Sequence, residues 1–223
     1  TGRVGTVVAT IGTTGTGSID PLPEILELKE KYDFRLHADA AYGGYFILAD
    51  SLSLTSRRAF DVLHQVDSIV VDPHKHGLQP YGCGCVLFRE PKVGAFYQHD
   101  SPYTYFSSKE LHLGEISLEC SRPGAAAVAL WATLKLLPLK RGGEFAASLA
   151  RSREAAIELY RRISSDLRFR TLVRPELDIV VWAPRAATGE LTSKLSRDFF
   201  EMAARNNLHL ATFKYPARLL RDT

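Results

Sequence analysis

Cysteine is scarce in this 223-residue chain: there are three, at Cys83, Cys85 and Cys120, and the number is odd. The first two have C-x-C spacing in an apolar run that reads as a strand, where alternate residues share a face. A disulfide between them would be strained and a metal would lack partners, so reduced core thiols of a cytoplasmic protein are expected. No basic run occurs either. The formal charge of +3 is spread along the chain and leaves no electrostatic footprint for nucleic acid or a membrane surface. Long apolar runs are missing as well: the longest uncharged, mainly apolar stretch, Pro123 to Leu134, is about half of what a membrane-spanning helix requires. No signal peptide pattern precedes the first element. The chain opens at Thr1 without an initiating Met and enters a buried-strand pattern at Val4-Gly5-Thr6-Val7-Val8-Ala9, so it reads as a portion of a longer subunit. Repeats and low-complexity segments are absent. What is present, 45% hydrophobic and 24% charged residues, is globular composition with enough length for one sizeable core plus a smaller unit.

Over the first eighty-odd residues, short β-rich runs alternate with helical patterns, the signature of βαβ units and a mainly parallel sheet. Strands are expected at Val4 to Ile11, Phe34 to Ala38 and Ser68 to Val71. Between the first two, Asp20-Pro21 reads as a helix N-cap with proline in the first turn, and Leu22, Ile25, Leu28 and Tyr32 recur at helical spacing. Cys83 to Phe88 follows the third strand too closely for a crossover helix and should return antiparallel. An aromatic-rich loop, Gln98 to Phe106, then leads to Pro123 to Leu137, which reads as a buried alanine-rich helix. Gly142-Gly143 marks the boundary between a first unit, residues 1–142, and a second α+β unit, residues 143–223. In the second unit Phe145, Leu149, Ala156, Tyr160 and Ile163 form one helical face, with Arg151, Arg153, Arg161 and Arg162 on the solvated side. A strand at Ile179 to Ala183, a helix from Leu191 to Arg205 and a last strand at His209 to Phe213 are expected after it.

Ligands of parallel α/β sheets gather at the carboxyl ends of the strands. Three such ends carry polar clusters here: Gly12-Thr13-Thr14-Gly15-Thr16-Gly17-Ser18, His37-Ala38-Asp39-Ala40-Ala41-Tyr42-Gly43-Gly44 and Asp72-Pro73-His74-Lys75-His76-Gly77. An acid and a lysine brought to one rim by adjacent strands suit a pyridoxal 5'-phosphate site, which needs an amine to form an imine and a carboxylate to keep the pyridine nitrogen protonated. Asp39 and Lys75 lie 36 residues apart (39 to 75), room for one helix and one strand.

The runs ATIGTTGTGSID, LHADAAYGGYF and VDPHKHGLQPYGCGCVLF resemble the pyridoxal-phosphate-dependent amino-acid decarboxylases that include the aromatic-amino-acid, tyrosine, histidine, glutamate and diaminobutyrate enzymes. The resemblance is strong from Val4 to Phe88, continuous through Ser117 to Leu137, and thin beyond. It implies an α/β fold: a transferase-like large-domain sheet, mainly parallel with one antiparallel strand, plus part of a small α+β C-terminal domain. It also implies that Lys75 holds the cofactor as a Schiff base, with His74 beside the phosphate or imine. Asp39 would pair with the pyridinium nitrogen and Ala41 pack on the ring. Unit charges about 4 Å apart at an effective dielectric near 20 interact by about 4 kcal/mol, roughly three pKa units.

By the same resemblance, Thr14 lies near the cofactor's 3-oxygen, with Thr13 one step away as the alternative. Asp72 stands where some relatives have Asn facing the phosphate, although a carboxylate there repels a dianion. His37 either contacts the cofactor or supports the strand end, and Asp20 caps its helix. Tyr105, or its neighbour Tyr103, matches the loop tyrosine that protonates Cα after carbon dioxide leaves. Ser121, within Glu119-Cys120-Ser121-Arg122, matches the segment that approaches the other subunit's phosphate, which implies a homodimer with shared sites. Relatives place a ring-stacking histidine and a serine-rich phosphate loop ahead of the first strand seen here. The expected activity is decarboxylation of a small L-amino acid to its amine. The alternatives are another carbon–carbon lyase of the same fold, of the sphingosine-phosphate or cysteine-sulfinate type, and a cofactor-free dimerisation fragment.

Overall fold

The structure, a computed structural model, describes residues 4–98 and 124–216. Its centre is a four-stranded sheet in the order β1 (Thr6–Thr10), β2 (Arg35–Asp39), β3 (Ser68–Val71), β4 (Cys85–Phe88). The first three strands are parallel, with Thr10 opposite Asp39 and Asp39 opposite Val70, and β4 returns antiparallel with Cys85 opposite Val71. All four strands fall where the alternation of the sequence put them.

Helix α1 (Leu22–Lys31) makes the crossover from β1 to β2, and α2 (Leu54–Asp61) precedes β3. The side chain of Ser53 caps α2 by accepting from the Ser56 amide. Asp20, expected to cap α1, has another task. Pro21 is the N-cap residue, and Asp20 Oδ2 instead accepts the Thr10 amide at 2.7 Å while its own amide donates to the Thr10 carbonyl at 2.9 Å. The physical reason is that β1 is the outer strand of the sheet among the described residues, and its outward backbone groups need partners. On α1 the buried side chain is Leu22, backed by partly buried Ile25 and Leu26, whereas Leu28 and Tyr32 are exposed.

Sheet and helices close on a core that includes Ile11, Leu22, Leu36, Phe46 and Phe60, all essentially inaccessible. Each such side chain contributes about 1.5–3 kcal/mol of transfer free energy. The same cluster takes in Phe145 and Leu149 from helix α4 (Glu144–Ser165) and Leu177 beyond it. Arg153, placed by its sequence position on the solvated side of that helix, is buried: its guanidinium donates to the Glu176 carbonyl at 2.7 Å and to the Ser51 carbonyl. Two chain segments end their backbone acceptors there, and a buried cation is tolerated because those carbonyls replace water.

Helix α3 (Ala125–Leu136) forms where expected but has no buried residue, with Val128, Trp131 and Leu136 exposed. The expectation of a buried helix fails because the described residues cover it only in part: Thr133 accepts from Gln79 at 2.8 Å on one face, and the other face is open. A two-stranded antiparallel pair, β5 (Phe169–Thr171) with β6 (Trp182–Pro184), and helix α5 (Gly189–Arg205) complete the chain. The strand expected at Ile179 to Ala183 is therefore shorter and later, and its partner β5 had no alternating signal. Residues 209–213 form no strand; Phe213 instead lays its ring on the turn at Gly15, where an added Cβ would meet it at 2.4 Å. No helix among the described residues is long and apolar enough to cross a membrane.

Candidate active site

Period-two alternation gives the sheet two unlike faces. Ala9, Leu36 and Ala38 point into the core, whereas Val8, Thr10, His37 and Asp39 share the other face, on which Val8 and Val86 are more than half exposed. The carboxyl ends of β1, β2 and β3 meet above this arrangement in three loops, and backbone contacts weld them together. Gly12 adopts φ 99°, in the left-handed region, and Gly43 sits so close to the first loop that a Cβ there would lie 2.1 Å from the Ile11 carbonyl oxygen. Only glycine permits that approach.

In the first loop the amides of Gly12 and Thr13 both donate to the Ser18 carbonyl, at 3.1 and 3.0 Å. Thr13 Oγ1 accepts the Ser18 amide and shares a 2.7 Å hydrogen bond with the Thr16 hydroxyl. The Thr13 hydroxyl is thus committed to the turn. Thr14 is exposed, and its hydroxyl makes no hydrogen bond among the described residues.

The second and third loops carry the acid and the amine. Asp39 ends β2 with Oδ1 accepting the Ala41 amide at 3.2 Å; among the described residues its other oxygen is unengaged. The Ala41 carbonyl accepts the Asp72 amide at 3.2 Å, so the loop holding Asp39 and Ala41 is joined directly to the loop holding Lys75. Lys75 Nζ lies 3.1 Å from Asp72 Oδ2. Asp72, expected to face a phosphate, is therefore the counter-ion of the lysine, and its repulsion for an anion is offset at its own position.

His74 Nδ1 lies 2.6 Å from the Cys83 carbonyl, which can only accept, so this nitrogen carries the hydrogen. Nε2 is left facing the Asp72 carboxylate at 3.7 Å. His37 Nδ1 hydrogen-bonds the Ser68 hydroxyl at 2.8 Å across to β3, a strand-supporting contact on the same face as Asp39. Cys83 and Cys85 are free, and burial pushes the Cys85 thiol up. Tyr103, Tyr105 and the segment Glu119 to Arg122, with Ser121, lie outside the described residues.

One cluster at this rim escaped the sequence reading. Asp178, in the loop before β6, accepts from the Tyr42 hydroxyl at 2.7 Å, the Ser152 hydroxyl at 2.7 Å and His76 Nε2 at 3.1 Å. Burial opposes its ionisation, but these three donors outweigh it and hold the carboxyl down at about 2. Burial and the Asp178 carboxylate together push the Tyr42 phenol far up, so it stays protonated as a donor. A single carboxylate inside the apolar run Leu177-Asp178-Ile179-Val180-Val181 was the available signal, because a charge there requires partners.

An exposed amine beside a carboxylate, a second carboxylate with a spare oxygen and an unpaired hydroxyl suit a ring with a protonated nitrogen, an aldehyde carbon and a neighbouring oxygen. Comparison with known proteins decides which family uses them. Residues 1–184 match the pyridoxal-dependent decarboxylase conserved domain. The chain belongs to this family of decarboxylases. Pyridoxal phosphate is the family's cofactor, and the residues above fit it.

The chain shares 35% identity over 191 residues with a probable L-tyrosine/L-aspartate decarboxylase of Methanothermobacter thermautotrophicus, across 85% of this chain and 50% of that protein. It shares 29% identity with an L-tyrosine decarboxylase of Enterococcus faecium, across 79% of this chain and 36% of that protein. The chain thus spans half or less of the length of these relatives. Its fold matches that of Oryza sativa TDC, crystallised with PLP and tryptamine, at a TM-score of 0.81 and 20% identity, across 95% of this chain and 44% of that one.

Proposed function

We propose that the full subunit containing this chain decarboxylates an L-amino acid to its amine, with pyridoxal phosphate held covalently through the Lys75 amine. The observation that carries this reading is the Ala41–Asp72 hydrogen bond, which sets the Asp39 loop and the Lys75 loop side by side on one rim. When bound, the protonated ring is an electron sink for the pair left on Cα as carbon dioxide departs.

The chain's own residues divide the remaining work. The unengaged oxygen of Asp39 accepts the ring N–H, and its charge keeps that proton in place. Asp72 balances the lysine, and His74, fixed by the Cys83 carbonyl, presents Nε2 towards the imine and phosphate region. Ala41 offers a small apolar surface to the ring, and the Thr14 hydroxyl is free for the 3-oxygen. Tyr105 is assigned protonation of Cα, and Ser121 the partner subunit's phosphate. A homodimer with shared sites suits the exposed apolar side chains of α3, and free thiols suit the cytoplasm. Residues 1–142 then form part of the cofactor-bearing domain and residues 143–223 part of the small one.

Lys75→Ala in the full-length protein tests the reading: the visible band of lysine-bound cofactor disappears and turnover falls to background. A variant that keeps both would sink it. A panel of L-amino acids scored for carbon dioxide against aldehyde release separates decarboxylation from other carbon–carbon cleavage.

A further inference from the structure

Lys75 is flanked by two tethered rings. On one side His74 is tied to the Cys83 carbonyl at 2.6 Å. On the other, His76 is held at both nitrogens: Nδ1 lies 3.0 Å from the Tyr42 carbonyl and Nε2 3.1 Å from Asp178 Oδ2. The His76 ring also stands edge-on to Tyr42 and Phe46, with centroids 4.6 and 4.9 Å away. Gly77 closes the turn so tightly that a Cβ would lie 2.5 Å from the Tyr45 hydroxyl and 2.6 Å from Pro73 Cα. Between these anchors Lys75 is the exposed residue of the Pro73 to Gly77 turn.

We infer that Asp178 is a positioning residue for this loop: through His76 and Tyr42 it fixes the Pro73 to Gly77 turn and so aims the Lys75 amine at the cofactor. The inference rests on Lys75 being the cofactor lysine. Asp178 is itself braced from helix α4 by Ser152, while Arg153 holds the carbonyl of Glu176 two residues before it and Leu177 is fully buried. The carboxylate, 102 residues from His76 in sequence (76 to 178), therefore transmits the position of α4 to the reacting amine. Functional groups keep their aim only when such supporting contacts lock them.

The test uses the full-length protein with pyridoxal phosphate as the probe. Asp178→Ala, Asp178→Asn, His76→Gln and the double variant Asp178→Ala/His76→Gln are titrated with the cofactor, following the visible band, and kcat and KM are measured. Phe60→Leu, a core change away from the turn, supplies a less stable variant for comparison. Asp178→Ala is expected to lower cofactor affinity and kcat about tenfold or more, the worth of one charge-assisted hydrogen bond, with KM held within about twofold. Asp178→Asn recovers part of the loss, and the double variant falls no further than the worse single one, because the two residues act as a unit. Phe60→Leu keeps both properties.

If Asp178→Ala and Asp178→Asn bind and turn over like Phe60→Leu, with only the thermal midpoint lowered, the positioning role is overturned. Where Asp178→Ala does not fold, Asp178→Asn and His76→Gln decide the same comparison. Lys75→Ala separates the two ideas: a visible band retained there overturns the cofactor-lysine assignment. Loss of that band alongside an unaffected Asp178→Ala overturns only the positioning role.

Discussion

The two faces of the sheet are built from the same strands and do opposite things. On the core face Ala9, Leu36 and Ala38 are 0% exposed, and the side chains are apolar and packed. On the other, Val8 is 57% exposed and its neighbours are Thr10, His37 and Asp39, polar groups that act through what they bind. The core face gives the sheet its rigidity, and that rigidity lets the second face hold a carboxylate at a fixed place beside the lysine loop. Stability and chemistry are thus separated by one residue of register, since a slip of one would exchange them.

Leu36→Ala attacks the core face directly and should have the largest effect, about 2–5 kcal/mol in urea unfolding. Gly43→Ala breaks the weld between the first two loops by driving a Cβ into the Ile11 carbonyl; about 1–3 kcal/mol is expected. Gly5→Ala, where an added Cβ meets nothing within 4 Å, is the matched control and should change little.

Asp178 sharpens the comparison through pH. Its folded-state value of about 2 lies below the ordinary carboxylate value, so its ionised form stabilises the fold above about pH 4, and this contribution is lost as pH falls from about 4 to 2. Allowing for solvent screening it amounts to about 1–2 kcal/mol. The stability gap between the native protein and Asp178→Asn, measured by urea titration at several pH values, should therefore narrow on acidification. The smallest effect is expected from Val8→Thr on the open face, within about 0.5 kcal/mol. A large loss there would show that this face is packed in solution and would erase the contrast between the faces.

Much of this was legible in the sequence where local rules decide. The strands β1 to β4, the antiparallel return of β4 and the polar strand ends holding Asp39 and Lys75 follow from alternation, turn residues and the rule that strand ends carry ligands. What was not legible depends on pairing at a distance. Asp20 looked like a cap because Asp before Pro ordinarily caps, yet the Thr10 amide on the outer side of β1 claimed its carboxylate. Arg153 looked solvated because helical periodicity does not reveal that the carbonyls of Ser51 and Glu176 converge on it. Asp178 meets His76 across 102 residues, and no motif spans that gap. Residues 209–213 have strand propensity but no neighbouring strand among the described residues to pair with, and propensity without a partner forms no ladder.

The most direct measurement is to load the full-length protein with pyridoxal phosphate, reduce it with borohydride and map the labelled peptide by mass spectrometry. The account predicts a pyridoxyl group on Lys75 and on no other lysine. A label fixed elsewhere, with Lys75 unmodified, would contradict it.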